Sequence, residues 1–268
     1  MKWMMISNKP VIVHKLVFEL RYSYGFSYLD KCGWVVNSIM RDRPEWILAN
    51  TSPNPQNAPL INTNNNCRFN FSSLKLDLTV EQGLGEASLT EDDVSDFLTQ
   101  VEEITPVVVD GLDLREFTRI GFRVWYMFAC GSSDEAETWL RDLGCCQVSQ
   151  RVAGSFRGRV KATGFSVVIE SEDRSFRIAF NGVERSLPVN LGGEVLNIPP
   201  HTLHENQREH LLKQIRTKKR IEHNPQFAAM IDIDAYQEMP EKVEPGYFVR
   251  TSYEKGMQYL RECIDRGT

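Results

Sequence analysis

The sequence predicts an α+β protein: largely antiparallel sheets with packed helices. Three observations carry this. Long segments alternate apolar and polar residues with period two, as a half-buried strand requires. Short Ser/Thr-x-x-Asp/Glu runs sit just ahead of apolar-periodic segments and mark helix starts between the strands. The 268 residues are 41% hydrophobic and 25% charged, which supplies a globular core without disulfide or metal staples.

The elements follow in order. From Val11 to Tyr22, Ile12, Leu16, Phe18, Leu20 and Tyr22 fall on one face of a strand, and Lys15, Glu19 and Arg21 on the other. Ser27 is placed to cap a helix running to about Met40, with Leu29, Val36 and Met40 inward. Arg41 and Arg43 suit its negative dipole end, and Pro44 stops it. Asn50 to Asn66, rich in Asn and Pro, reads as an irregular surface insertion. Cys67–Phe71 and Leu74–Glu81 form a hairpin around Ser72–Ser73, with Leu74, Leu76, Leu78 and Val80 on the apolar face. Thr90-x-x-Asp93 opens a helix whose core face is Val94, Phe97, Leu98 and Val101, and Glu91, Asp92 and Asp93 favour its positive dipole end.

Leu114 to Phe128 is the longest strand signal. Phe117, Arg119, Arg123 and Trp125 share one face, and Ile120, Phe122, Val124 and Tyr126 the other. Ser132-x-x-Glu135 caps a short helix holding Trp139 and Leu140. Cys145 to Val189 reads as an antiparallel meander, turning at Glu172-Asp173 and again at Asn181-Gly182, whose composition suits a two-residue hairpin turn. Thr202-x-x-Glu205 caps a helix over about Leu203 to Arg220. A strand follows at Ala228–Tyr236, and Thr251-x-x-Glu254 caps a last helix ending near Gly267. The succession suggests two related half-domains, an α+β half over residues 1–110 and a second over 111–268 that carries the meander.

Several classes lose ground on composition. The longest apolar runs fall far short of the roughly 20 residues of a membrane span, and Met1 to Ser7 lacks a signal peptide's layout. The expectation is a cytoplasmic protein with no membrane contact. Its six cysteines lack any Cys-x-x-Cys spacing, and the adjacent Cys145 and Cys146 read as small, half-buried thiols at a strand start. The net charge of −5 is uneven: residues 144–223 hold 13 Lys/Arg against 8 Asp/Glu, whereas Asp77 to Glu103 holds 9 acids and no base. Such asymmetry suits a nucleic-acid surface or two faces that meet a partner.

The candidate chemistry is sparse. Asp232 and Asp234 share a strand face and could hold Mg²⁺ for phosphoryl transfer, but such a site also needs a third carboxylate and usually a Gly-rich phosphate loop, and the sequence has no Gly-Ser dyad ahead of a helix at suitable spacing and no P-loop. They read better as an ordinary strand with its acids facing water. His201, His204 and His210 do not converge at zinc spacing. Arg119 to Tyr126 is out of register with an RNA-recognition strand. The basic residues Arg151, Arg157, Arg159 and Lys161, with Lys213, Arg216, Lys218, Lys219 and Arg220, would bind phosphates if they converge. No nucleophile-and-base constellation stands out, so an enzyme is the less favoured class, with no metal or cofactor expected.

The segments Val13-His-Lys-Leu-Val-Phe-Glu-Leu-Arg-Tyr22, Arg-Phe-Asn-Phe-Ser-Ser-Leu-Lys-Leu-Asp-Leu from Arg68, Arg-Ile-Gly-Phe-Arg-Val-Trp-Tyr from Arg119 and Ile-Asp-Ile-Asp-Ala-Tyr from Ile231 together resemble a sporadically distributed bacterial family of uncharacterised proteins. The resemblance spans almost the whole chain. It departs after Arg-Ile-Gly, where Arg123-Val124-Trp125-Tyr126 replaces an Arg-Tyr-Ile-Asn run. It implies an α+β fold and, from the family's patchy distribution, a place among mobile or antiviral defence genes. It transfers no reaction. The expectation is a non-catalytic protein that binds a protein partner or ligand within a bacterial defence or toxin–antitoxin-like system. Nucleic-acid binding through the basic 151–220 segment is the alternative, and Mg²⁺-dependent phosphoryl transfer a third. Packing alone does not require Glu19, Arg21, Arg119 and Arg123, so a site built on the sheet would include them.

Overall fold

Strand pairing organises the chain. The structure, a computed structural model, describes residues 5–6, 9–23, 25–49, 56–65, 67–81, 88–143, 164–185 and 226–265. Two short strands, β1 (Met5–Ile6) and β2 (Lys9–Pro10), pair antiparallel. The remaining described strands form one antiparallel sheet. They are β3 (Ile12–Tyr22), β4 (Trp46–Leu48), β5 (Asn57–Asn62), β6 (Arg68–Ser72), β7 (Lys75–Glu81), β8 (Phe117–Cys130), β9 (Gly164–Glu170), β10 (Ser175–Arg185) and β11 (Gln226–Glu238), in the order β4-β5-β6-β7-β3-β8-β11-β10-β9. The described helices are α1 (Ser27–Asp42), α2 (Glu91–Gly111), α3 (Ser133–Asp142) and α4 (Pro245–Asp265). This is the α+β class the periodicities predict. Read outward from the β3–β8 seam, each side runs first strand, last strand, then backwards along the chain. Strands from either side of residue 110 therefore share one sheet.

The chain divides into two compact units. The first comprises residues 1–128, 164–180 and 230–268. Its core lies on one face of the sheet, where Leu16, Phe18, Leu20, Leu76, Leu78, Ile120, Phe122 and Ile231 are buried. Tyr28 of α1 packs edge-on to Phe71 of β6, and Phe97 of α2 lies 6.4 Å from Phe122 of β8. Helix α4 passes over Tyr126 and Ile233 at Gly256. The second unit comprises residues 129–163 and 181–229. Within its described part Ser132 caps α3 by accepting from the Glu135 N–H at 3.1 Å, as its sequence predicts, and Trp139 and Leu140 are buried.

Several local expectations need correction. Ser27 does not cap α1: its hydroxyl donates to the Leu112 carbonyl, a non-local anchor that outcompetes the local one. The helix is therefore rotated from the expected phase, with Tyr28, Val35, Val36 and Ile39 buried and Leu29 exposed. In β3 a bulge between Val13 and Lys15 resets the alternation, so Val11 and Val13 are buried instead of Ile12. The Asn/Pro-rich insertion contains β5. Pro59 is tolerated there because its ring nitrogen faces the side where β4 has ended, the same side on which its carbonyl accepts from Ala49. Asn62 and Asn65 accept backbone N–H groups and shape the β5–β6 turn.

Asn181-Gly182 is no turn; β10 runs straight through it. A Cβ at Gly182 would lie 2.5 Å from Oε1 of the buried Glu137, so the glycine makes room for a carboxylate. Thr251 lies inside α4, which begins at Pro245, where a missing N–H costs nothing. Leu74, finally, sits in the β6–β7 turn and is exposed, while the rest of its predicted apolar row is buried. The Cys145–Cys146 pair, the histidine cluster and the helix over 203–220 lie outside the described residues.

Candidate functional site

The face of the sheet opposite the core carries charge. Because side chains alternate, burying Leu16, Phe18 and Leu20 turns Lys15, Val17, Glu19 and Arg21 to the other side of β3. Pairing brings these next to the matching rows of β7 and β8: Glu19 lies opposite Asp77 and Gly121, and Arg21 opposite Lys75 and Arg119. On β11, Asp232 and Asp234 alternate with the buried Ile231, Ile233 and Ala235.

Six of the residues singled out from sequence meet here: Glu19, Arg21, Arg119, Arg123, Asp232 and Asp234. Arg119 is the hub. Its Nη1 donates to Glu19 Oε1 at 3.0 Å and its Nη2 to Asp234 Oδ2 at 3.0 Å. Its Nε lies 3.5 Å from Glu238 Oε1, and its guanidinium stacks 5.0 Å from the Tyr236 ring centroid. The guanidinium passes over Gly121, which leaves it room. Glu19 also accepts from Arg21 Nε at 2.8 Å and from Lys75 Nζ at 3.3 Å, and Lys75 reaches Asp77 at 3.0 Å. Arg123 makes a forked pair with Asp232, its Nε donating to Oδ1 at 2.8 Å and its Nη2 to Oδ2. At the far end Lys15 holds Glu81 at 2.7 Å, while Lys15 and Arg123 lie 4.7 and 5.3 Å from the Trp125 ring.

Electrostatics distinguish the carboxylates. Burial alone would raise Glu19, but the hydrogen bonds and charges of Arg21 and Lys75 outweigh it and hold its carboxyl below the ordinary value of 4.5. At Asp234 burial wins over the attraction of Arg119 and Arg123, with repulsion from Asp232 adding to it, and the carboxyl is pushed up. The forked hydrogen bond to Asp232 raises Arg123, so its guanidinium stays charged.

The carboxylates of Asp232 and Asp234 therefore do not stand in water, as the sequence suggests; Asp232 is buried, and each acid faces an arginine. Among the described residues no group of three His, Cys, Asp or Glu side chains is placed to hold a metal ion. Arg151, Arg157, Arg159, Lys161, Lys213, Arg216, Lys218, Lys219 and Arg220 lie outside the described residues. Sequence reasoning placed Lys15 and Trp125 on this side of their strands but named neither of them, nor Lys75, Asp77, Glu81 and Tyr236, as part of a site. Their period-two placement on strands was the available signal, but it does not say which strands are neighbours. No helix among the described residues is long and apolar enough to cross a membrane. No family model, no curated protein and no solved structure matches this chain.

Proposed function

We propose that this chain is a non-catalytic interaction module that binds a protein partner through the charged face of β7, β3, β8 and β11. One observation carries the reading: acids and bases occur on this face in near-equal number and are fixed against each other, with Arg119 at the centre. A nucleic-acid surface would be net basic. A phosphoryl-transfer site would leave Asp232 and Asp234 open to a cation, whereas each holds an arginine. A lattice of mixed sign, with half-exposed Arg21, Lys75 and Arg123 and with Arg123 beside the Trp125 ring, suits a partner surface that carries both signs. The resemblance to a sporadic bacterial family extends this to a component of a bacterial defence or toxin–antitoxin-like system, which the identity of the neighbouring genes tests.

Co-purification at native expression decides the main reading. The expected result is a stoichiometric protein partner, lost from the Arg21→Ala/Lys75→Ala variant. A wild-type chain that purifies with no partner or ligand overturns it. A second reading, nucleic-acid binding, rests on the 13 Lys/Arg against 8 Asp/Glu of residues 144–223. A binding titration over a salt series tests it: affinity must fall steeply with salt, and absence of binding near 50 mM salt removes it.

A further inference from the structure

The first unit repeats itself. Leu16, Phe18, Leu20 and Tyr22 of β3 recur at one constant spacing as Ile120, Phe122, Val124 and Tyr126 of β8, all buried. A second constant spacing carries Leu76-Asp77-Leu78 of β7 onto Ile231-Asp232-Ile233 of β11. The same spacing carries the buried Val94, Phe97, Val101 and Thr105 of α2 onto the buried Val249, Ser252, Gly256 and Leu260 of α4. Strand pairing agrees. Phe18 lies opposite its own equivalent, Phe122, as residues on a two-fold axis do. Glu19 lies opposite Asp77, and their equivalents Arg123 and Asp232 are hydrogen-bonded. Lys15 holds Glu81, and their equivalents Arg119 and Tyr236 stack. The repeats part on the charged face. Arg21 and Lys75, directly opposite each other, have Trp125 and Met230 as equivalents, so this pair of cations exists in one repeat only.

Three cations share that end of the face. Arg21 lies opposite Arg119 as well as Lys75, and like charges directly opposite repel. The acids beside them are spent: Glu19 accepts from Arg21, Lys75 and Arg119, and Asp77 holds Lys75. They are also sunk, the Glu19 side chain 16% and Asp77 22% exposed, whereas Arg21 and Lys75 stand out at 51% and 44%. Arg21 uses only its Nε; its two Nη groups have no partner among the described residues. What this end still offers is donors, so the group it takes is an anionic acceptor. We propose that an acidic protein segment docks here, one per chain, its carboxylates on the open fork of Arg21 and on Lys75. The segment belongs to the partner of the charged-face reading, on which this assignment rests. A nucleic-acid strand fits worse, because its line of phosphates would run on across the face to the exposed Glu238 and the half-exposed Glu81.

Fluorescence anisotropy with the full chain at low salt tests it, using a labelled peptide of alternating glutamate and threonine, whose carboxylates all face one way when extended. Binding at one site per chain is expected, with the glutamine counterpart weaker by roughly tenfold. Arg21→Trp/Lys75→Met gives the first repeat the residues of the second. It should weaken binding of the glutamate peptide by roughly tenfold, and Met230→Ala should leave it unchanged. Circular dichroism melts confirm that each variant is folded, and Arg21→Gln/Lys75→Gln keeps the test valid should the first double variant unfold. No binding up to roughly 1 mM overturns the proposal. So does a glutamine peptide bound as tightly, an affinity indifferent to both double variants, or an oligothymidylate that binds more tightly and is lost with them. The charged-face reading fails separately. It falls if co-purification yields no partner, and it stands if a partner is lost from Arg21→Ala/Lys75→Ala while the glutamate peptide is not bound.

Discussion

Arg119 shows what a single residue does on this face. It serves Glu19, Asp234 and Glu238 at once and is largely withdrawn from water. Truncating it leaves the half-buried Asp234 without its hydrogen-bonded counter-charge and Glu19 with only Arg21 and Lys75. Arg119→Ala is expected to cost about 3 kcal/mol in urea unfolding, and Arg119→Lys to recover only part, because one ammonium nitrogen cannot reproduce the guanidinium's fixed planar fork. Its two main partners should behave differently. The carboxyl of Glu19 is held below its ordinary value of 4.5, so its contribution is present above that value and is lost as pH falls through the lowered one. Glu19→Gln should therefore destabilise by roughly 1–2 kcal/mol at pH 7, and the gap to wild type should close in acid. The carboxyl of Asp234 is raised, so its charged form opposes folding at neutral pH and relief comes as pH falls. Asp234→Asn should stay within about 1 kcal/mol of wild type at pH 7. A larger loss for Asp234→Asn than for Glu19→Gln in the same unfolding series would refute this ordering.

At the scale of elements, two anchors contrast. Helix α2 starts in a complete capping box: Asp93 N–H donates to Thr90 Oγ1 at 3.1 Å, and Thr90 N–H to Asp93 Oδ2 at 2.7 Å. Thr90→Ala should cost about 1 kcal/mol, read from the shift of the urea midpoint. The turn between β9 and β10 is held differently. Arg174 is buried, stacks 4.8 Å from the Phe248 ring, and donates to Thr251 Oγ1 and Ser252 Oγ at 2.8 Å each in α4. Beside it Asp173 is drawn down to about 2, because hydrogen bonds from Ser171 and Arg174 outweigh the effect of burial. Arg174→Ala should cost about 3 kcal/mol, since it takes the donor from the buried Ser252 hydroxyl as well as losing packing, and should speed amide exchange in α4. The box was legible because its partners are three residues apart. The Arg174 anchor was not, because its partners in α4 are 74 to 78 residues away.

For the whole molecule the β3–β8 seam matters most. Phe18 pairs with Phe122 there, and Phe18 is fully buried. Phe18→Ala should cost roughly 3–5 kcal/mol. The sheet of the first unit should lose structure in one transition, with circular dichroism and tryptophan fluorescence coincident; separate transitions would mean that the two sides of the seam fold independently. The charged face depends on the same seam, because Glu19 and Arg119 meet only when β3 and β8 are in register.

The sequence by itself determined whatever energy decides within a few residues. That covers the alternation of β3, β7, β8 and β11, the β6–β7 hairpin, the caps of α2 and α3, and the fact that Glu19, Arg21, Arg119 and Arg123 stand on the non-core side. It failed where a distant contact outweighed a local preference. Ser27 turned to Leu112, Asn181-Gly182 stayed extended beside Glu137, and a bulge reset the start of β3. Only the tertiary structure decided which charges meet. The pairs that make the face span 100, 109 and 115 residues of chain. Periodicity places a side chain on a face, but a neighbour across a sheet is fixed by strand order and register, and those are set by the packing of the whole core.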